Sequence, residues 1–227
     1  MFLKLFLIIS LILIPKISFG HTDHYKNYKL IKMEIFRNDK LIGFSNFFFS
    51  AHNDILKVKN QLSITVSMFG SDIFKLESYG VEKYKNNKLI SFESKTLQND
   101  KEKFVNMRFD SKSNMFKIRG TSFTGEATTD NIVGNWWNHK LLSTNTQISP
   151  VSGSIKKQVV TFLGKETIEL YGKRFDADHF KLQSMDMNLP KDKRLNFDIW
   201  IDKKNSIILK VVYSRMGLWE YRLKSFN

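Results

Sequence analysis

The sequence predicts an all-β fold: a single strongly curved antiparallel sheet, a half-barrel or open barrel, with about ten strands and at most one short helix. Three observations support this prediction. Apolar and polar side chains alternate with a period of two along most of the chain, and turns containing Asn or Asp separate the alternating runs. Only one short stretch, near residues 132–142, departs from the pattern.

The clearest alternation lies in residues 56–68. One parity is apolar except at Asn60, and the other carries Lys, Gln, Ser and Thr. Because successive side chains of a strand point to opposite faces, this run predicts a strand with one buried and one wet face. Burial on one side is typical of antiparallel sheets. The side chains expected to be buried are Leu56, Val58, Leu62, Ile64, Val66 and Met68.

Similar runs continue to the end of the chain, and some of them are expected to merge. They lie near 29–37, 40–50, 55–68, 73–84, 88–97, 103–110, 115–123, 155–163, 166–171, 174–187, 196–202, 206–214 and 218–226. Asn and Asp tolerate the left-handed backbone of tight turns, which predicts hairpins at Asn38-Asp39, Asn86-Asn87 and Lys203–Asn205. Trp136, Trp137 and Leu141 interrupt the pattern and predict the single helix, inside a long polar connection.

The first twenty residues have the pattern of a cleaved secretory signal peptide. Lys4 precedes a ten-residue apolar run over residues 5–14, Pro15 ends it, and Ser18 and Gly20 occupy the positions that a signal peptidase reads. We therefore expect cleavage before His21, a periplasmic or secreted protein, and a single antiparallel β domain over residues 21–227. The chain contains no cysteine, which excludes a lipidated cysteine, thiol catalysis and thiolate metal sites.

The formal net charge is +14. A basic excess attracts anionic partners, among which an anionic envelope surface fits an exported protein. The lysines are scattered singly along strand faces, which favours solvated faces over a concentrated binding patch. No nucleic-acid-binding module is recognisable, so we expect no nucleic-acid partner.

Motifs for enzymatic chemistry are absent from the sequence. There is no Gly-x-Ser-x-Gly nucleophile elbow and no phosphate-binding loop. Asp176 and Asp178 share one strand face and His179 lies on the other, so these three side chains are not expected to converge. We therefore predict no catalytic residue, no metal site and no cofactor.

Aromatic residues give the strongest indication of a ligand site. Phe44, Phe47, Phe48 and Phe49 place phenylalanine on both faces of one strand, which is then either covered on both faces or lines a cavity with one of them. Trp136 and Trp137 lie in the long connection, where they could plug the mouth of the sheet or form a platform for a ligand or partner. These six residues are the predicted binding residues.

Three segments resemble a family of uncharacterised secreted bacterial β-proteins. They are the strand pair and final aromatic strand at 197–226, the Gly-Asn-Trp-Trp-Asn-His run at 134–139, and Phe-Asp-Ala-Asp-His-Phe at 175–180. The architecture that this resemblance implies is similar to the periplasmic half-barrels of the LolA and LolB type, which hold acyl chains. The chain departs from LolB in having no lipidated cysteine, and from both in having too little helix for a lid.

These observations lead to three hypotheses. The first is a non-enzymatic carrier in the cell envelope that holds a hydrophobic or amphipathic ligand, such as a lipid or acyl chain, against the sheet. The second is an envelope interaction protein with a packed core, which docks a partner through the tryptophan loop. The third is a hydrolase whose residues converge only in space. The sequence predicts no particular oligomeric state.

Overall fold

A computed structural model describes residues 22–227 as an all-β fold with fifteen strands. The predicted signal peptide and the cut before His21 lie outside the described residues and remain predictions. The strands are β1 (Leu30–Arg37), β2 (Lys40–His52), β3 (Ile55–Met68), β4 (Ser71–Lys85), β5 (Lys88–Gln98), β6 (Lys101–Asp110), β7 (Met115–Gly120), β8 (Thr124–Thr128), β9 (Ile132–Val133), β10 (Thr146–Ile148), β11 (Ile155–Leu170), β12 (Lys173–Ser184), β13 (Asn196–Asp202), β14 (Ile208–Ser214) and β15 (Leu218–Phe226).

All fifteen strands belong to one sheet, and neighbours in the sheet are almost always neighbours in the chain. The order is β8-β7-β6-β5-β4-β3-β2-β1-β15-β14-β13-β12-β11-β10-β9. The first and last strands pair antiparallel, and the Lys29 N–H donates to the Asn227 carbonyl at 2.6 Å. Every described pair is antiparallel except β9 with β10. The sheet therefore consists of two meandering arms that meet at β1 and β15.

The predicted period-two pattern is confirmed in β3. Leu56, Val58, Ile64 and Val66 are buried on one face, and Leu62 is half-buried on the same face. Met68 is exposed, because it lies at the hairpin tip beyond the packed part of the strand. The buried side chains of the other strands belong to the same hydrophobic cluster as those of β3. The register expected from the sequence is therefore correct.

The hairpin turns follow the side-chain chemistry of Asn and Asp. Asn38 and Asp39 have φ angles of 47° and 60°, and Asn86 and Asn87 have 48° and 64°. Positive φ at both central residues is the two-residue turn whose twist matches that of the flanking strands. The turns expected at these two sites are confirmed, and the chain also reverses between β13 and β14, at residues 203–207.

Other parts of the fold prediction were wrong. The sheet has fifteen strands rather than about ten, and it is an open sheet, neither closed nor strongly curled as a half-barrel. The additional strands β8, β9 and β10 are two to five residues long, too short to show an alternating pattern. One pair of runs merges, as was expected of some of them: residues 155–163 and 166–171 form the single strand β11, with an irregularity between Phe162 and Gly164.

The helix expected near 132–142 is also different in the structure. Ile132 and Val133 form a strand, and the remainder contains only a short 3₁₀ turn, His139–Ser143. Two further 3₁₀ turns are Asp23–Asn27 and Lys191–Lys193. Within residues 22–227, no helix is long and apolar enough to cross a membrane.

The long connection between β8 and β11 positions the candidate site. Trp137 packs edge-on against Tyr84 of β4 and Phe49 of β2, while Trp136 packs against Phe197 of β13 and Tyr221 of β15. Residues 134–137 thus contact both arms of the sheet on its buried face, and neighbouring indole rings point to opposite arms.

Candidate functional site

A buried carboxylate anchors the connection to the sheet. Glu82 of β4 lies on the apolar face and is almost completely buried. Its Oε1 accepts hydrogen bonds from Asn135 Nδ2 at 2.6 Å and from Trp137 Nε1 at 2.8 Å. Its Oε2 accepts from the Tyr84 hydroxyl at 2.5 Å. Two of these three donors, Asn135 and Trp137, belong to the connection, so Glu82 fixes the backbone on both sides of Trp136.

The surroundings of Glu82 favour its neutral form. Burial raises the pKa of the Glu82 carboxyl, and the hydrogen bonds from Tyr84, Trp137 and Asn135 oppose that rise. Burial also raises the pKa of the Tyr84 hydroxyl, which therefore remains a donor. Because the group is sealed under Trp137, we assign it to holding the connection in place rather than to reacting with a ligand.

The N-terminal 3₁₀ turn closes the same region from the other side. The Tyr25 ring is fully buried against Phe49 and Trp137, and its hydroxyl oxygen lies 2.9 Å from Nδ1 of His139. Burial, followed by the nearby His24, lowers the pKa of His139 to about 4, so its imidazole is neutral at neutral pH. This packing fixes the end of the connection that follows Trp137.

An apolar groove of about 490 Å³ lies between the sheet and the other side of the connection. Leu62, Ile64 and Val66 of β3 and Leu76 of β4 form an aliphatic floor. Phe47 of β2 extends this floor. The polar side chains in the lining are few: Asn135, which is committed to Glu82, Gln98, and the cations at the rim.

Aromatic rings form a continuous wall along this groove. The order of contact is Phe74, Trp219, Tyr213, Phe197, Trp136 and Tyr221, with successive ring centroids 5.1 to 6.2 Å apart. All of them except Phe197 line the groove. Burial raises the pKa of Tyr221 to about 12, against a hydrogen bond with Trp136, so its hydroxyl is neutral. The wall is therefore uncharged, with large apolar ring surfaces.

Two arginines stand at the rim of the groove. The Arg37 Nε donates to the Met216 carbonyl at 3.0 Å, which ties the end of β1 to the turn between β14 and β15. Arg215 is exposed on that turn, and no salt bridge to it is found among the described residues. The rim is thus cationic above an apolar interior.

The six predicted binding residues separate into three groups. Phe47 and Trp136 line the groove. Phe49 and Trp137 lie on the inner side but behind the groove wall, where Phe49 packs against Tyr25 and Trp137. Trp137 is fully buried and its indole N–H is committed to Glu82, so of the two tryptophans expected as alternatives at the mouth, only Trp136 lines the groove.

Phe44 and Phe48 do not reach the groove. Both have the parity opposite to Phe47 and Phe49, and Phe48 is 39% exposed on the outer face of β2. The strand carries phenylalanine on both faces, but only one face belongs to the groove. Of the four phenylalanines predicted as binding residues, Phe44 and Phe48 are thus directed away from this groove by the alternation of the strand.

Several groove residues were not predicted from the sequence as a site. Tyr213, Trp219 and Tyr221 were identified only as parts of alternating strands, and Phe74 was not singled out. Glu82 carried a signal that could have been used: it occupies the inward parity of β4, between Leu76 and Tyr84. An acidic residue among the inward-facing side chains of a strand predicts a buried network of hydrogen bonds.

A polar cluster lies on the outer face of β11 to β13. His179 Nδ1 is 2.9 Å from Glu166 Oε1, and its Nε2 is 3.3 Å from Asp198 Oδ1. The imidazole stacks on Trp200, whose N–H donates to Glu166 at 2.6 Å. His179 thus meets these two carboxylates rather than Asp176. Among the described residues, no group of three or more His, Cys, Asp or Glu could hold a metal ion.

A second cleft, of about 470 Å³, lies beside the β4–β5 turn. Its lining includes Lys85, Lys88, Lys140 and several asparagines, together with Phe109 and Phe116. This cleft is more polar than the groove, with cations distributed through its lining instead of at one rim. The groove is therefore the better site for an apolar ligand.

Comparison with known proteins identifies relatives by sequence family and by fold. A family model described as a domain of unknown function, DUF6134, matches residues 33–224. The crystal structure of a beta-barrel-like protein of the domain of unknown function DUF1849 from Brucella abortus is similar, with a TM-score of 0.59 and 9% sequence identity over 88% of this chain and 96% of that chain. A search of the curated proteins found no match. At this identity the structural likeness concerns the fold alone, whereas the family model covers most of the sequence, and the chain belongs to the DUF6134 family.

Proposed function

We propose that this protein is an exported, non-enzymatic binding or carrier protein that holds a hydrophobic or amphipathic ligand in the cell envelope. The observation that carries the proposal is the apolar groove with its continuous wall of aromatic rings. Its volume of about 490 Å³ lies in the usual range for small-molecule sites, roughly 300–1,000 Å³. Export rests on the sequence pattern of residues 1–20.

The distribution of polarity indicates the kind of ligand. Aliphatic and aromatic side chains form the interior, where an acyl chain would exclude water from apolar surface. Arg37 and Arg215 stand at the rim, where they favour a negatively charged headgroup. A fatty acid, with one chain and one carboxylate, combines both features and is the simplest probe of the site.

The alternative of an interaction protein has less support. That hypothesis relied on the tryptophan loop as an exposed platform, but Trp137 is fully buried and Trp136 is half-buried in the groove wall. The hydrolase alternative would require a reactive group facing a substrate cleft. The clearest histidine–carboxylate contacts involve His179 and lie on the outer face, away from the groove.

Fatty acid binding to the purified protein tests the proposal. We expect saturable binding of a long-chain fatty acid at micromolar concentration, measured by calorimetric titration. Leu62→Trp, which fills the aliphatic floor, should weaken binding roughly tenfold or more, about 1.4 kcal/mol or above. Leu163→Trp adds the same ring at a position that is 52% exposed on β11, and should bind as the wild type does.

Two results would contradict the proposal. The first is an absence of fatty acid binding by a wild-type protein whose circular dichroism shows the folded sheet. The second is equal binding by Leu62→Trp and wild type, because the ligand would then occupy another site.

A further inference from the structure

The most exposed large apolar side chains of the described residues lie at hairpin tips. Phe69, between β3 and β4, is 98% exposed, and Met216, between β14 and β15, is 82% exposed. Both adopt positive φ angles, 52° and 50°, which are uncommon for bulky side chains. Large apolar side chains at such turns are unusual, because turns favour Gly, Asn and Asp.

These two tips lie at the same end of the sheet, around the mouth of the groove. The Phe74 ring, near the β3–β4 tip, contacts the Trp219 ring of β15 at 6.2 Å. Met216 lines the groove, and Arg37 at the end of β1 donates to its carbonyl. Met187, 53% exposed in the connection between β12 and β13, lines a small cleft together with Arg215. The apolar tips therefore surround the rim instead of forming a distant patch.

Further exposed apolar side chains extend this end of the molecule. They are Leu41 at the start of β2, Met68 and Ile73 beside Phe69, Met185 beside Met187, and Leu218 beside Met216. Exposed apolar side chains that gather at one end of a molecule, instead of being scattered singly, indicate a site of interaction with a protein or a membrane.

Cations lie among the apolar tips. Arg37 and Lys40 flank the β1–β2 turn, Arg215 lies on the β14–β15 turn, and the β12–β13 connection carries Lys191, Lys193 and Arg194.

The acidic groups at this end include Asp39, Asp72, Asp186 and Asp192, and Asp100 in the turn between β5 and β6. Three of them are engaged locally: Asp39 pairs with Arg222, Asp72 accepts from Ser67, and Asp186 accepts from the Asn188 backbone. Arg37 and Arg194 donate to the carbonyls of Met216 and Leu189. No salt bridge to Lys40, Lys191, Lys193 or Arg215 is found among the described residues, so these four cations are available to an anionic surface at the same end as the apolar tips.

We propose that this end of the protein docks on the surface of an anionic lipid bilayer. Phe69, Met187 and Met216 enter the boundary between headgroups and acyl chains, and the flanking Arg and Lys side chains contact lipid phosphates. Apolar side chains with adjacent cations are the combination that holds proteins at this interface. The inference builds on the proposed function in one respect, since docking would direct the groove mouth toward the lipid from which a ligand comes.

The form of the surface favours a bilayer over a protein partner. The apolar side chains belong to three separate connections between strands, and the same connections carry or adjoin Arg and Lys residues. A fluid lipid surface can receive separate tips, whereas the core of a protein interface is depleted of charge. The continuity of the tips with the mouth of an apolar groove is a second argument for lipid.

Vesicle flotation tests the proposal. We expect the wild-type protein to float with vesicles of phosphatidylcholine and phosphatidylglycerol, and to bind less at high salt, because screening weakens the attraction of the cations. Phe69→Ser combined with Met187→Ser should reduce binding about tenfold, because two large apolar side chains would no longer be buried in the bilayer. Neither residue lines the groove, so fatty acid binding in solution should be retained.

Phe162→Ser combined with Leu163→Ser is the matched control. These side chains are 50% and 52% exposed within β11, and their removal should leave flotation unchanged. The proposal is overturned by equal flotation of the tip variant and the wild type, or by equal losses in both variants. It is also overturned if the tip substitutions convert a dimer into a monomer without vesicles, which would assign the tips to self-association. Flotation without any fatty acid binding would support docking and contradict the proposed function.

Discussion

At the scale of single residues, Glu82 determines where Trp136 lies. It bonds to Asn135 and Trp137, which are 53 and 55 residues away in the chain, and these two flank Trp136. The period-two pattern of β4 places Glu82 on the inner face, but no local feature of the sequence names its partners. Sequence reasoning could therefore identify Trp136 as a site residue and could not separate it from Trp137.

The buried position of Glu82 gives a pH dependence of stability. Burial raises the pKa of Glu82, so the folded protein keeps the proton over a pH interval in which the unfolded chain has lost it. Over that interval the free energy of unfolding falls as pH rises. Glu82→Gln cannot ionise, so its stability relative to wild type should increase as pH rises above about 4.3, the usual value for Glu.

Urea denaturation of both proteins at several pH values measures this difference. Glu102→Gln, which changes an exposed carboxyl on β6, serves as the control and should follow the wild type. Parallel pH profiles for Glu82→Gln and wild type would contradict the assignment of Glu82 as a buried, proton-holding anchor.

At the scale of elements, the sequence predicted the long strands well. The bounds of β3, β13 and β15 agree with the expected segments 55–68, 196–202 and 218–226. Alternation over seven or more residues is a strong signal because each inward side chain contributes to burial. The short strands β8 to β10 were missed, because a strand of two to five residues is too short to show alternation of apolar and polar side chains. Their pairing also depends on distant partners.

The turn between β5 and β6 allows a test of the hairpin chemistry. Asn99 and Asp100 have φ angles of 44° and 63°, in the left-handed region. Asp100→Val should lower the free energy of unfolding by about 1–2 kcal/mol, the cost of placing a branched side chain there. Asp100→Gly should cause no loss, because glycine is favoured at this position of the turn.

Lys101→Val is the control, since Lys101 begins β6 in extended conformation and a β-branched residue is acceptable there. Urea denaturation compares the three variants with the wild type. Equal stability of Asp100→Val and Asp100→Gly would show that the turn does not impose the left-handed conformation.

At the scale of the whole molecule, the groove depends on which strands become neighbours. The pairing of β1 with β15 brings the aromatic rings of β14 and β15 next to the aliphatic floor of β3 and β4. Phe47 and Trp136 could be singled out from the sequence as candidates because local patterns mark them. Trp219 and Tyr213 could not be assigned to the site, since their role arises from contacts across the two arms of the sheet.

Quenching of tryptophan fluorescence by a fatty acid with a brominated chain tests the central claim most directly. Quenching by bromine falls steeply with distance, so the indoles nearest the chain are quenched most strongly, and the groove is lined by Trp136 and Trp219 but by neither Trp137 nor Trp200. We expect saturable quenching in the wild type at micromolar acid. Trp136→Phe combined with Trp219→Phe should remove nearly all of it, while the unlabelled acid should still bind. Absence of quenching in the wild type, or equal quenching in the double variant, would contradict a ligand in this groove.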